Sequence, residues 1–265
     1  MKKQLFYNFY ATRDNFNSII NNIHYTCLEY YKHVFDEAFI CITLDDTSDY
    51  ELIKMVQNKF LEIFNGRLQK ITFKITKNDP YLREVVFFYD EILEHLNDLD
   101  LVFFAHNKGT TNLNSPNVDN ESLFYWLIAL YYSSLNNYKE AIINMTGRLA
   151  LTCGSCYTIQ KSSKLTDMYA GTFYWLNCKG IYREMRNHNI EIPKCSDRYI
   201  AENFPYYINQ CYFNTMSSIN GYYLEFEENS CCNWYLYSKQ YCEMCNYLDE
   251  EFYKLFNLAI KKEYI

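Results

Sequence analysis

Asp100-Leu101-Val102-Phe103-Phe104-Ala105 is a short apolar stretch that runs straight into His106-Asn107-Lys108-Gly109-Thr110-Thr111. An apolar run of this length, closed by polar residues and a glycine, reads as a strand buried on both faces. Three earlier segments repeat the pattern. Gln4–Ala11 stops at Thr12-Arg13-Asp14-Asn15, and Ala38–Leu44 stops at Asp45-Asp46-Thr47-Ser48. Leu68–Ile75 alternates and leads to Asn78-Asp79-Pro80. Helical spacing fills the gaps over Phe16–Val34, Asp49–Phe64 and Tyr81–Leu96, with Pro80 placed to open the last. Such alternation predicts an α/β fold: a mixed, mostly parallel sheet flanked by helices. Ligands in these sheets bind at the carboxyl ends of strands. That singles out the loops at 12–15, 45–48, 78–80 and 106–111.

The second half is less regular. Asn112–Asn120 is a polar loop, followed by helices over Glu121–Asn136 and Tyr138–Ala150. A strand is expected over Met168–Asn177, and helices over Lys179–Arg186 and Tyr199–Ile208. Tyr235–Ala259 reads as helical. The predicted organisation is a main domain over 1–220, with halves 1–111 and 112–220, and a helical Cys-rich C-terminal extension over 221–265.

The 265 residues suffice for a self-supporting core. Net charge is −7 and no basic block occurs, which argues against gripping nucleic acid. The most apolar run, Leu123–Leu135, is too short to cross a bilayer, which takes about 20 residues. The polar residues close to Met1 do not read as a secretory leader, so free thiols in the cytoplasm are expected, with peripheral membrane attachment left open. Of the 11 cysteines, Cys153/Cys156 and Cys242/Cys245 form two CxxC pairs. Two such pairs suit a four-thiolate zinc site, but their separation exceeds finger spacing. Aromatic content is 19%, with 28 Tyr, alongside the abundant Asn, Ile and Lys of AT-rich codon usage.

Three constellations carry candidate chemistry. The loop after Ala105 joins a cation, Lys108, to an imidazole, His106, with Gly109, Thr110 and Thr111 as backbone and hydroxyl donors, a set suited to phosphate. It equally describes a solvated loop. Tyr169-Ala170-Gly171-Thr172-Phe173-Tyr174-Trp175 sets a glycine before an aromatic strand: either a platform for a sugar ring or ordinary core. Arg198 and Glu202 are four apart and share a helix face, as a surface ion pair or as an oriented site carboxylate.

In their order, Phe104-Ala105-His106-Asn107-Lys108-Gly109, Gly171-Thr172-Phe173-Tyr174-Trp175 and Arg198-Tyr199-Ile200-Ala201-Glu202 resemble a family of polysaccharide-biosynthesis glycosyltransferases. That family carries YxHxKG-like, GNFWW-like and RxxxE-like segments, and the resemblance covers roughly residues 4–210. It implies a GT-A-like fold using a nucleotide diphosphate sugar and a glycan or lipid-linked acceptor. Tyr10, Ala11, Thr12 and Asp45 would then lie near the nucleoside, and His106, Lys108, Gly109 and Thr110 near the pyrophosphate. Gly171, Thr172, Tyr174 and Trp175, with Arg198, would face sugar and acceptor. In an inverting reaction Glu202 would be the catalytic base, with Asp167 or Asp197 as substitutes; in a retaining one Glu202 would only bind substrate. Lys108 and His106 would take part in catalysis.

One departure concerns the metal. The only Asp-x-Asp in this region, Asp98-Leu99-Asp100, precedes its strand and falls at the wrong end of the sheet. Either Lys108 supplies the charge that an ion would, or Mn²⁺ or Mg²⁺ binds through His106 with Asp45 or Asp46. The rival readings of function are a non-catalytic nucleotide- or carbohydrate-binding module on the same fold, and a zinc- or thiol-based interaction protein. The surface permits a homodimer.

Overall fold

The computed structural model describes residues 1–107, 109–110, 120–147, 150–155, 157–159, 167–169, 172–191, 201, 204, 212–214, 218–219, 222–223, 239, 241–243, 245 and 249–261. The first half is a regular alternation of strands and helices: β1 (Lys3–Tyr10), α1 (Ile19–Tyr31), β2 (Glu37–Leu44), α2 (Tyr50–Ile63), β3 (Lys70–Lys77), α3 (Glu84–Glu91) and β4 (Leu101–His106). Then come α4 (Asn120–Asn136), α5 (Tyr138–Thr146), β5 (Thr152–Gly154), β6 (Tyr157–Ile159), β7 (Asp167–Tyr169), β8 (Tyr174–Asn177) and α6 (Cys178–Asn187). β9 (Tyr212–Asn214), β10 (Ser218–Ile219), β11 (Tyr222–Tyr223) and α7 (Glu250–Lys261) complete the described elements.

The main sheet has seven strands in the order β3-β2-β1-β4-β8-β5-β9. β1 pairs in parallel with β2 and with β4, and β2 with β3. β8 runs antiparallel between β4 and β5, and β9 lies parallel to β5. This is the mixed, mostly parallel α/β sheet expected.

The two sheet faces differ in cover. Leu5, Tyr7 and Phe9 of β1 point into the larger core, with Ile20 and Ile23 of α1, Phe60 of α2 and Leu127 and Tyr131 of α4. Phe6, Phe39 and Phe104 point the other way, where Phe87 of α3 stacks on Phe6 and Phe39, and Phe88 meets Phe104. On the α1 face, Tyr131 donates to Tyr7 at 3.1 Å and meets His24 Nδ1 at 2.8 Å. That chain gives buried polar atoms their partners inside an aromatic core.

Several expected boundaries move, each for a local reason. The first helix starts at Ile19 rather than Phe16 because the Ser18 hydroxyl caps it, accepting from Asn21 N–H. Pro80 does not open the third helix. Asp79 accepts from the N–H groups of Tyr81 and Leu82, building a turn, and α3 begins only at Glu84. The strand expected over Met168–Asn177 is two strands in different sheets, broken by Thr172 at φ 54°. α7 packs on α1 and α4, and Phe252 and Leu255 join the larger core with Tyr241, Cys242 and Cys245. Among the described residues, no helix is long and apolar enough to cross a membrane.

The aromatic strand β8 is core. Thr172, Phe173, Tyr174 and Trp175 are all 0% exposed. Trp175 Nε1 donates to Ser134 O at 3.0 Å, and Tyr174 OH donates to Ala201 O at 2.6 Å. Thr172, Tyr174 and Trp175, expected to face a sugar, are buried here: Trp175 packs on Phe35 and Phe103, and Tyr174 on Phe88 and Phe104. Trp175→Ala should therefore cost about 3–5 kcal/mol of stability, the range for emptying a buried aromatic site. Denaturant melts check this, and a loss under about 1 kcal/mol would return Trp175 to the surface.

Candidate functional site

The cleft at the strand ends follows from where α3 begins. On its face of the sheet the strands read Phe6-Asn8-Tyr10, Phe39-Cys41-Thr43 and Phe104-His106, with Asn8 paired to both Cys41 and His106. The apolar members lie under α3. The polar members lie beyond its first turn, so no helix covers them. A cleft of about 270 Å³ results, lined by Asn8, Tyr10, Thr43, Asn78, Pro80, Arg83, Glu84, His106, Asn107, Gly109 and Thr110. It opens beside β1, where the connection to β2 leaves one way and β4 lies on the other side. This is the topological switch point at which α/β sheets hold ligands.

Asn107 fixes the floor. Its side chain accepts from Tyr10 N–H at 2.9 Å and donates to Tyr10 O at 2.8 Å, so it pairs with the backbone as a neighbouring strand would. It also donates to Asn21 Oδ1 at 3.1 Å, while Asn21 Nδ2 reaches Asn15 O at 2.7 Å. The loops after β1 and β4 are thereby tied to the start of α1. Gly109 stands at φ 87°, and a Cβ there would lie 3.0 Å from Leu123 Cδ1. The glycine of the HxKG segment thus answers to α4 and to its own backbone conformation.

Asp45 is held from both sides, accepting from Tyr10 OH at 2.7 Å and from Asn78 Nδ2 at 2.9 Å. Burial, then the bond to Asp45, pushes the Tyr10 phenol up to about 12, so it remains a donor. His106 is 8% exposed, and its Nε2 lies 3.9 Å from Glu84 Oε1. Arg83 precedes α3 at φ 52°, a conformation that costs a non-glycine residue on the order of 1–3 kcal/mol. Its side chain is exposed, and no carboxylate among the described residues pairs with it.

Of the residues expected at the site, Tyr10, His106, Gly109 and Thr110 line one cleft, and Asp45 stands one hydrogen bond away through Tyr10. Ala11 and Thr12 do not reach it. Ala11 is 2% exposed with its N–H on Thr43 O, and the Thr12 hydroxyl accepts from Asn15 N–H. Lys108, Gly171, Asp197, Arg198 and Glu202 lie outside the described residues, as does the side chain of Asp167. The cleft adds Asn8, Thr43, Asn78, Arg83, Glu84 and Asn107. Asn78 and Asn107 fall in loops that the strand ends single out; only the register of the strands and the late start of α3 point to Asn8, Thr43, Arg83 and Glu84.

The carboxylate beside His106 is Glu84, while both oxygens of Asp45 are bonded and Asp46 accepts from Ser48. Asp100 sits at the opposite end of β4, accepting from Lys179 at 2.5 Å and from Lys2 N–H at 2.9 Å. Cys153, in β5, and Cys242 bond to different backbone carbonyls, of Ala141 and Tyr125. Burial pushes the thiols of Cys153 and Cys245 up to about 12, which keeps them protonated and unreactive. Among the described residues, no three His, Cys, Asp or Glu side chains group as metal ligands.

Asn107→Ala strands the N–H of Tyr10 and removes two further bonds. It should cost on the order of 2–3 kcal/mol in denaturant melts. A loss within about 0.5 kcal/mol would show that the strand ends hold together without the clamp.

No protein-family model matches the chain, and no curated protein sequence is similar to it. Among solved structures it is similar to residues 1–349 of TarS from S. aureus, at 12% identity and a TM-score of 0.30. The likeness covers 73% of this chain and 50% of that one, so the chain spans about half the length of that structure. At this level the likeness says nothing about the residues of the cleft.

Proposed function

We propose that the protein is a glycosyltransferase. It binds a nucleotide diphosphate sugar in the cleft at the ends of β1, β2 and β4, and transfers the sugar to a glycan or lipid-linked acceptor. The observation that carries this reading is the cleft itself: polar, at the switch point of a mostly parallel sheet, with His106 of the HxKG segment in its wall. The similarity of three sequence segments to polysaccharide-biosynthesis glycosyltransferases supplies the reaction class.

Transfer requires the donor and the acceptor hydroxyl to be aligned, and charge on the departing diphosphate to be offset. Lys108 is the proposed cation for that charge, with His106 beside it at the diphosphate. Glu202 is the proposed base for the acceptor hydroxyl, with Arg198 orienting it. Tyr10 and Asp45 are proposed to meet the nucleoside. A divalent ion would add Lewis-acid charge at the diphosphate, and His106 and Glu84 are the cleft residues able to ligate one.

Thermal shift with nucleoside diphosphates and their sugars, with and without Mn²⁺ or Mg²⁺, tests the donor site. At least one should raise the melting temperature, since a ligand of the native state stabilises it. No shift with any nucleotide would contradict the proposal. In assays of nucleoside diphosphate release, Lys108→Ala should lower turnover roughly 100-fold, in line with loss of one transition-state charge contact. Near-normal turnover would remove Lys108 from the mechanism.

A further inference from the structure

One side-chain donor on the floor of the cleft is open and has no partner among the described residues. Asn8 is 4% exposed and lines the cleft floor. Its amide oxygen accepts from the Thr43 hydroxyl at 2.8 Å. Thr43 Oγ1 in turn lies 3.3 Å from Thr76 Oγ1. Because the Thr43 proton goes to Asn8, Thr76 is the donor of that second bond. The chain Thr76 to Thr43 to Asn8 therefore runs one way and ends on Asn8 Oδ1, which leaves Nδ2 as the free end of that amide. The Nδ2 end faces the cleft, and no acceptor among the described residues bonds to it. An amide donor that opens on the cleft in this way is available to a ligand oxygen.

The charges around it are unequal. Glu84 lies nearest His106, and both oxygens of Asp45 are taken by Tyr10 and Asn78. Arg83 lines the same cleft and forms no ion pair among the described residues. An N–H₂ donor on the floor and an unpaired guanidinium on the wall together suit an oxygen acceptor with negative charge.

We infer that Asn8 is a ligand-contacting residue. It donates to a phosphate oxygen that Arg83 also engages, and Thr43 is the positioning residue that aims it. This role deepens the proposed function and rests on it for identifying the phosphate as that of a nucleotide. The sheet then supplies a contact to the donor from a strand interior, in addition to the loops.

The test is calorimetric titration of the full chain with inorganic pyrophosphate, a nucleoside diphosphate and the bare nucleoside. Asn8→Asp keeps the size of the side chain and the bond from Thr43 but turns the inward donor into a charged acceptor. It should weaken the diphosphate and pyrophosphate roughly 10- to 100-fold and leave the nucleoside nearly unchanged. Thr43→Val should weaken both phosphates several-fold, and Thr43→Ser should restore them. That rescue would not follow if Thr43 served packing alone. Arg83→Ala should weaken the phosphates without changing the melting temperature of the free protein.

Equal affinity of wild type and Asn8→Asp for the nucleoside diphosphate would overturn the role of Asn8 while leaving the proposed function intact. If no nucleoside diphosphate binds, the proposed function fails. Pyrophosphate then decides: binding lost in Asn8→Asp keeps an oxyanion site, and binding unaffected by it removes the site. Should Asn8→Asp fail to fold, the Thr43→Val and Thr43→Ser pair decides in its place: phosphate affinity lost and then restored keeps the site, and affinity unchanged in both removes it.

Discussion

Everything at the candidate site depends on β1 being paired in parallel on both sides. Its partners β2 and β4 end beside it, but the chain departs in opposite senses, so the three carboxyl ends cannot all be covered by the connections that follow them. An exposed row of strand ends would leave backbone groups unpaired. Asn107 answers that by bonding both the N–H and the C=O of Tyr10, extending the ladder by a side chain. The opening is thus a product of topology, and its rigidity comes from one amide.

Depth comes from the placement of α3. Phe87 and Phe88 seal Phe6, Phe39 and Phe104, and the helix starts too late to cover Asn8, Thr43 and His106. An Asx turn at Asp79 and the left-handed Arg83 take up the residues between β3 and the helix. The backbone strain at Arg83 is offset by the aromatic packing that α3 brings to the sheet. The same turn brings Arg83 and Glu84 to the cleft wall.

Much of this was legible in the sequence. The continuous apolar strands and the polar clusters that end them located four parallel strands and the end of the sheet where the cleft opens. The asymmetric place of Asp98 and Asp100 was also readable, because strand direction fixes which end an Asp-x-Asp occupies. What escaped was two-dimensional. That Asn8 and His106 are neighbours depends on register between strands almost 100 residues apart. That Arg83 reaches the cleft depends on a turn that overrode the helix-opening preference of Pro80. The aromatic run at Phe173–Trp175 allows two readings for a plain reason: a platform for sugars and a buried strand use the same residues, and only the cover from Phe35, Phe88 and Phe103 separates them.

If the ends of β1, β2 and β4 form the nucleotide site, ligand should protect them and leave the far end of the sheet alone. Hydrogen exchange followed by mass spectrometry reads this, with and without the nucleoside diphosphate that most raises the melting temperature. Exchange should slow in peptides spanning residues 8–13, 43–47, 78–85 and 106–110, because bound ligand closes the openings that let these amides exchange. Slowed exchange confined instead to the opposite end of the sheet, around Asp100, Lys179 and Arg183, would contradict the assignment.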